Sequence, residues 1–228
     1  MRTMLSFLRL ITAAAVVAAA VFAGSASARA TAICGEGTYA YAGFDGHTAS
    51  RGVSATIAQA GPVEVQDGHV AGWIGVVEPD TSSAWLQVGL SALPGDGTSG
   101  IYYEVAFPGH APSYHLLRGN AAIGERHRFA VLELKHRPNW WRVWVDGRPV
   151  TTSLHLRGSH DRWVPQVLGE SWAGTASGPC NTYAYSFSDV SLLAGSGRVP
   201  ALHDPNYAVL RRSHSSFVAT STGKPATS

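Results

Sequence analysis

The chain has 228 residues, of which 45% are hydrophobic and only 14% charged, with 25 Gly, 12 Pro, 7 Trp and two Cys. Ordinary apolar content with few charges excludes a disordered polyelectrolyte, and two Cys in this length exclude a small fold built on many disulfides. The length fits one domain with a sizeable core, or one domain and a tail.

The first thirty residues read as an address. Arg2 and Arg9 give a positive start, Leu10 to Ala23 is almost wholly apolar, and Ala26-Ser27-Ala28 and Ala28-Arg29-Ala30 are both A-x-A. This is the pattern of a secretory signal peptide. The apolar run falls short of the ~20 residues that cross a bilayer, so the expected mature protein is extracellular, with no membrane partner once the signal is removed. Of 17 basic and 15 acidic residues, cleavage after Ala28 leaves 15 of each, and cleavage after Ala30 leaves 14 against 15. The basic excess belongs to the signal, so no nucleic-acid partner is inferred. An oxidising compartment favours pairing of Cys34 with Cys180, with two free thiols as the alternative. For so long a loop the chain-entropy model values the bridge at about 5 kcal/mol.

Beyond the signal, period-two patterning dominates. Val53 to Ile57 alternates, and Val70 to Val77 is an apolar run punctuated by Gly. Ala84 to Ala92 places Leu86, Val88 and Leu90 on one face and Trp85, Gln87, Gly89 and Ser91 on the other. Ile101 to Phe107 sets Ile101, Tyr103, Val105 and Phe107 against Tyr102 and Glu104. Arg128 to Leu134 follows, then Trp140 to Val145, whose Asp146-Gly147 end signals a hairpin returning through Arg148-Pro149-Val150. Val164 to Trp172 and Thr182 to Leu193 are the last clear strands. About ten short strands separated by Gly/Pro turns predict an all-β antiparallel sandwich or jelly roll, over residues 31–194. Gly195 to Pro200 reads as a linker, and the tail to residue 228 as partly disordered. Tyr207 to Leu210 and Ser216 to Ala219 are candidates for one more edge strand.

In a sandwich one face of each strand fills the core and the other meets water or lines a groove. The groove candidates are Trp85 and Gln87, Tyr102 and Glu104, and Gln166, Glu170 and Trp172. Aromatic area with a few polar groups suits a ligand cleft, although an ordinary solvated sheet face has the same alternation.

These segments, in this order, resemble the glutamic peptidases (eqolisins). Gly72-Trp73-Ile74-Gly75-Val76 resembles their W-V-G-I segment, and AWLQVGL at 84–90 resembles the A-x-L-Q-x-G-x strand that carries their catalytic Gln. Tyr102-Tyr103-Glu104 is similar to their Y-E strand, and Gly124 to Leu132 sits where they have G-D-x-I and a strand. Glu170-Ser171-Trp172 resembles the A-E-W segment of the catalytic Glu, with one extra residue between Glu and Trp, and YSFSDVSLL at 185–193 is similar to the closing F-x-x-V strand. The likeness spans roughly residues 70 to 193. It implies a concanavalin-A-like fold and an acid-acting endopeptidase that needs no metal or cofactor. Gln87 and Glu170 would be catalytic, and Trp73, Trp85, Tyr102, Glu104 and Trp172 would bind the polypeptide substrate. Glu170 would take a proton from the attacking water and later protonate the leaving amine, while the Gln87 amide would orient the water and stabilise the oxyanion.

Two other readings remain open. Glu104 and Glu170 could flank a glycosidic bond as a carboxylate pair, in a carbohydrate-active enzyme. The aromatic face could instead serve a non-catalytic domain that binds a glycan or peptide. Trp140, Trp141, Trp144 and Trp163 read as packing, and the ten His as isolated surface residues. No H-x-x-x-H pair, D-x-D-x-D-G calcium loop, phosphate loop or G-x-S-x-G elbow occurs. Oligomeric state is not legible.

Overall fold

A computed structural model describes residues 33, 34, 37, 39–175, 178–193, 209–213 and 216–220. The signal segment, the linker at 195–200 and the end of the tail lie outside the described residues. In chain order the strands are β1 (Ile33–Cys34), β2 (Tyr39–Asp45), β3 (Gly52–Gln59), β4 (His69–Val77), β5 (Trp85–Ala92) and β6 (Gly100–Ala106). They continue as β7 (Ser113–Arg118), β8 (Arg126–Leu134), β9 (Arg137–Val145), β10 (Arg148–Pro149) and β11 (Leu154–His155). The chain then forms β12 (Val164–Trp172), β13 (Gly178–Pro179), β14 (Ala184–Leu192), β15 (Val209–Ser213) and β16 (Ser216–Thr220).

All pairings are antiparallel, and two sheets hold most of the strands. One runs β2-β12-β4-β5-β6-β7, and the other runs β10-β9-β8-β3-β14-β16-β15 with β11 added to β9. The architecture is the β-sandwich jelly roll that the alternation predicts. Between the sheets lie Val70, Ile74, Val76, Leu86, Val88, Leu90 and Val167 from the first, and Val53, Ala55, Ile57, Phe129, Val131, Trp141, Val143, Tyr185 and Phe187 from the second. Each is one face of an alternating strand, so the period of two in the sequence becomes a layer in space. Burying each large side chain contributes about 1.5–3 kcal/mol.

Several local signals explain the joints. Asp146 and Gly147 adopt φ of 50° and 77°, the left-handed pair that a tight hairpin turn requires. Trp141 is fully buried and donates its indole N–H to Ser159 Oγ at 2.7 Å, which satisfies the one polar atom it brings inside. Asp189 sits at φ 54° where β14 slips register against β3, a bulge inside the predicted 182–193 strand. β16 pairs with β14 and β15 extends that sheet, so part of the tail is sheet. β1 and β13 pair with Cys34 opposite Gly178, which brings the two cysteine-bearing segments side by side.

Candidate functional site

The outer face of the six-stranded sheet can be written as rows, because its strands are in register. One row is Asp45, Gln166, Gly75, Gln87, Glu104 and Tyr114. The next is Gly43, Leu168, Trp73, Gly89, Tyr102 and Leu116. Then come Tyr41, Glu170, Ala71 and Ser91, and finally Tyr39, Trp172 and His69. All the groove candidates read from the sequence therefore share one face. Gly89 gives the Trp73 strand its room: a Cβ there would lie 2.1 Å from the Gly72 carbonyl oxygen and 2.7 Å from Trp73 Cα.

A cavity of about 460 Å³ opens on this face, lined by Trp73, Trp85, Gln87, Glu104, Gln166 and Glu170 among others. Glu170 is 6% exposed, and both of its oxygens are engaged. Trp73 Nε1 donates to Oε2 at 2.5 Å, and His69 Nε2 lies 3.0 Å from Oε1. Gln87 donates from Nε2 to Tyr102 Oη at 3.0 Å and to Glu104 Oε2 at 2.9 Å. Gln87 lies opposite Gly75 and Glu170 opposite Ala71, so Trp73 occupies the row between them. They share the cavity without a direct hydrogen bond to each other.

Two of the sequence-predicted ligand residues sit differently from a simple groove wall. Tyr102 is 2% exposed, stacked on Tyr114 at 5.1 Å and accepting the Gln87 N–H, and is not among the described lining residues. Trp172 lies beside the cavity, in an aromatic shelf with Tyr39 at 6.1 Å and His69 at 5.6 Å, and Tyr41 extends the shelf by stacking on Tyr39 at 5.8 Å. Tyr39, Tyr41 and His69 were not among the candidates. The YAYAGFD alternation of β2 was the signal available for the two tyrosines. The reading of His as isolated surface residues is corrected here: His69, His127 and His160 each face a carboxylate, and His127 is 6% exposed.

The field in the cavity is acidic. Its lining brings Asp45, Glu104 and Glu170, and no Lys or Arg. Burial holds the Glu104 carboxyl above its ordinary value and the neighbouring Glu170 charge pushes the same way, while His69 and the Trp85 indole oppose. Burial first, then Glu170 and Glu104, drive the Tyr102 phenol well up. The Trp85 Nε1 atom is buried with no acceptor at hydrogen-bond geometry, so its pull on Glu104 is that of a nearby dipole. Among the described residues no cluster of three or more His, Cys, Asp or Glu could hold a metal ion. The arrangement offers a proton acceptor, an amide donor and aromatic walls around open space.

No family model matches the chain, and no curated protein matches it. Solved structures do. Scytalido-glutamic peptidase with a peptide-based transition-state analog aligns at TM-score 0.54 and 16% identity, covering 80% of this chain and 97% of that one. The same peptidase with a transition-state analog inhibitor aligns at TM-score 0.53 and 17% identity over the same shares. A Bacillus licheniformis β-glucanase aligns at TM-score 0.39 and 13% identity, over 64% of this chain and 66% of that one. The chain thus has the fold of the glutamic peptidases, a β-sandwich.

Proposed function

We propose that this chain is a secreted hydrolase of polypeptides that works in the cavity on its six-stranded sheet. The observation that carries the reading is the gathering of Gln87, Glu104, Glu170 and Trp73 around one open cavity on a fold shared with glutamic peptidases. Glu170 acts as the base. Its two oxygens each accept one hydrogen bond, and each keeps a further lone pair for water. The water proton passes to Glu170 as the oxygen attacks the scissile carbonyl. The C–N bond then breaks, and Glu170 returns the proton to the leaving amine. Both Gln87 N–H groups are engaged, by Tyr102 Oη and Glu104 Oε2, so the one on Glu104 turns to the developing oxyanion while Tyr102 keeps the amide in place. Export and a Cys34–Cys180 disulfide belong to the same proposal, supported by the signal-like start and by the β1–β13 pairing.

The experiment incubates purified mature protein with an unfolded protein substrate from about pH 2 to 7, beside Gln87→Ala and Glu170→Gln. Cleavage lost in both variants supports the reading. A folded protein that cleaves at no pH ends it, leaving a groove that binds. One observation favours a second reading: a carboxyl held high by burial and by a neighbouring carboxylate is how glycosidases keep an acid. In that case Glu104→Gln abolishes glycan hydrolysis, and no polypeptide is cut.

A further inference from the structure

His69 begins β4 opposite Trp172, on the same face as Glu170. Its Nε2 faces Glu170 Oε1 at 3.0 Å, and because an ionised carboxylate only accepts, that nitrogen carries the proton. Trp73 holds the other oxygen through an indole N–H that does not titrate. Of the two groups gripping Glu170, only His69 can change charge. Among the described residues of the cavity lining it is the only imidazole, with no Lys or Arg, against the carboxyls of Asp45, Glu104 and Glu170. The Glu170 side chain is 8% exposed, so the nitrogen of His69 meets a carboxylate largely closed to solvent.

We infer that His69 is the positioning residue for Glu170: it fixes the carboxylate by a hydrogen bond to Oε1. The catalytic consequence rests on the peptidase reading, whereas the pairing itself does not. The groups facing His69 are few. β12 contributes Glu170 and the Trp172 ring, β2 contributes the edge of Tyr39 at 6.3 Å, and Glu104 on β6 feels its field. The cavity residues of β5, Trp85 and Gln87, carry no charge. Asp67, in the preceding turn, accepts from the backbone N–H groups of Gly68 and Thr175.

Glutamine tests the donor, since His69→Gln keeps an N–H and His69→Ala removes it. Turnover should fall about tenfold in His69→Ala with KM little changed, and His69→Gln should recover most of it. Equal losses in the two variants would overturn the inference, because a His that only packs has no need of an N–H donor in its place. Proton NMR supplies a reading independent of turnover. A slowly exchanging ring N–H of His69 is expected in the wild type and is lost in Glu170→Ala. Its absence from the wild type overturns the inference whatever the activity. Its presence in a protein that cuts nothing upholds the pairing and removes the peptidase reading alone.

Discussion

Gln87→Ala tests the centre of the site through two separable quantities. The truncation removes the donor that Tyr102 Oη receives at 3.0 Å and Glu104 Oε2 at 2.9 Å. Tyr102 is 2% exposed, so its oxygen has no route to solvent and carries a cost of about 1–3 kcal/mol for the lost partner. Glu104 borders the cavity, where water can replace the amide, and adds little. The stability loss is therefore about 1–3 kcal/mol, and each kcal/mol lowers Tm by about 2–4 °C at this chain length. The effect on rate is larger. Losing one oxyanion donor costs about 10²–10³ in kcat. Digestion of an unfolded substrate, run well below the lowered Tm, separates the two. A folded Gln87→Ala that cuts within tenfold of wild type would refute the oxyanion role. An unchanged Tm would show that the bonds to Tyr102 and Glu104 do not hold the amide.

Glu104→Gln tests the acidic field. Burial and Glu170 raise the folded-state value of Glu104 above the 4.5 of a free carboxyl, so the wild type carries a penalty above that raised value and none below about 4.5. The variant should therefore gain stability in urea melts at pH 7 and gain nothing at pH 4, and an equal gain at both would contradict this. Asp146→Asn has the opposite sign. Burial opposes ionisation there, but His127 at 2.7 Å and the Arg128 N–H at 2.9 Å outweigh it and hold the carboxyl below 3.8. The variant should lose about 1 kcal/mol at pH 7, a figure discounted because half of that side chain is exposed. The gap should close as pH falls through the lowered value, and a gap that persists at pH 2 would refute the pairing. Gly89→Ala drives a methyl into the Gly72 carbonyl and the Trp73 backbone, so about 1–3 kcal/mol should be lost. Wild-type stability in that variant would mean that β4 and β5 do not approach so closely.

The fold was legible where burial imposes a period. AWLQVGLSA, IYYEVAF and the 164–172 run each state which face goes inward, and Asp146-Gly147 states where the chain must turn. The strands that escaped the reading are those with weak periods. β7 is exposed along its whole length, so no apolar face marks it, and β2 mixes Tyr, Ala and Gly at the sheet edge. β15 and β16 fall instead on the two tail segments, Tyr207 to Leu210 and Ser216 to Ala219, that read as candidate edge strand, and Phe217 and Ala219 are buried against the core.

The candidate site was legible in its faces but not in its pairs. Alternation put Gln87, Glu104 and Glu170 on outward positions, but which outward residues meet depends on register across four strands, and no single strand carries that information. His69 shows the limit: at the start of a Gly-rich run it has no local signal, and it acquires a partner only because β12 lies beside β4 with Trp172 opposite it. One departure from the resembling family's pattern is Ser171, the extra residue between Glu170 and Trp172. A side chain directly after Glu170 would point to the core, where Ser171 lies 9% exposed, whereas one two residues on returns to the face of Glu170. The single extra residue leaves Glu170 in phase with Gln166 and Leu168 and turns Trp172 outward, against His69 and Tyr39. The extra residue therefore turns Trp172 to the face of Glu170 and helps build the aromatic shelf on which the histidine partner of Glu170 rests.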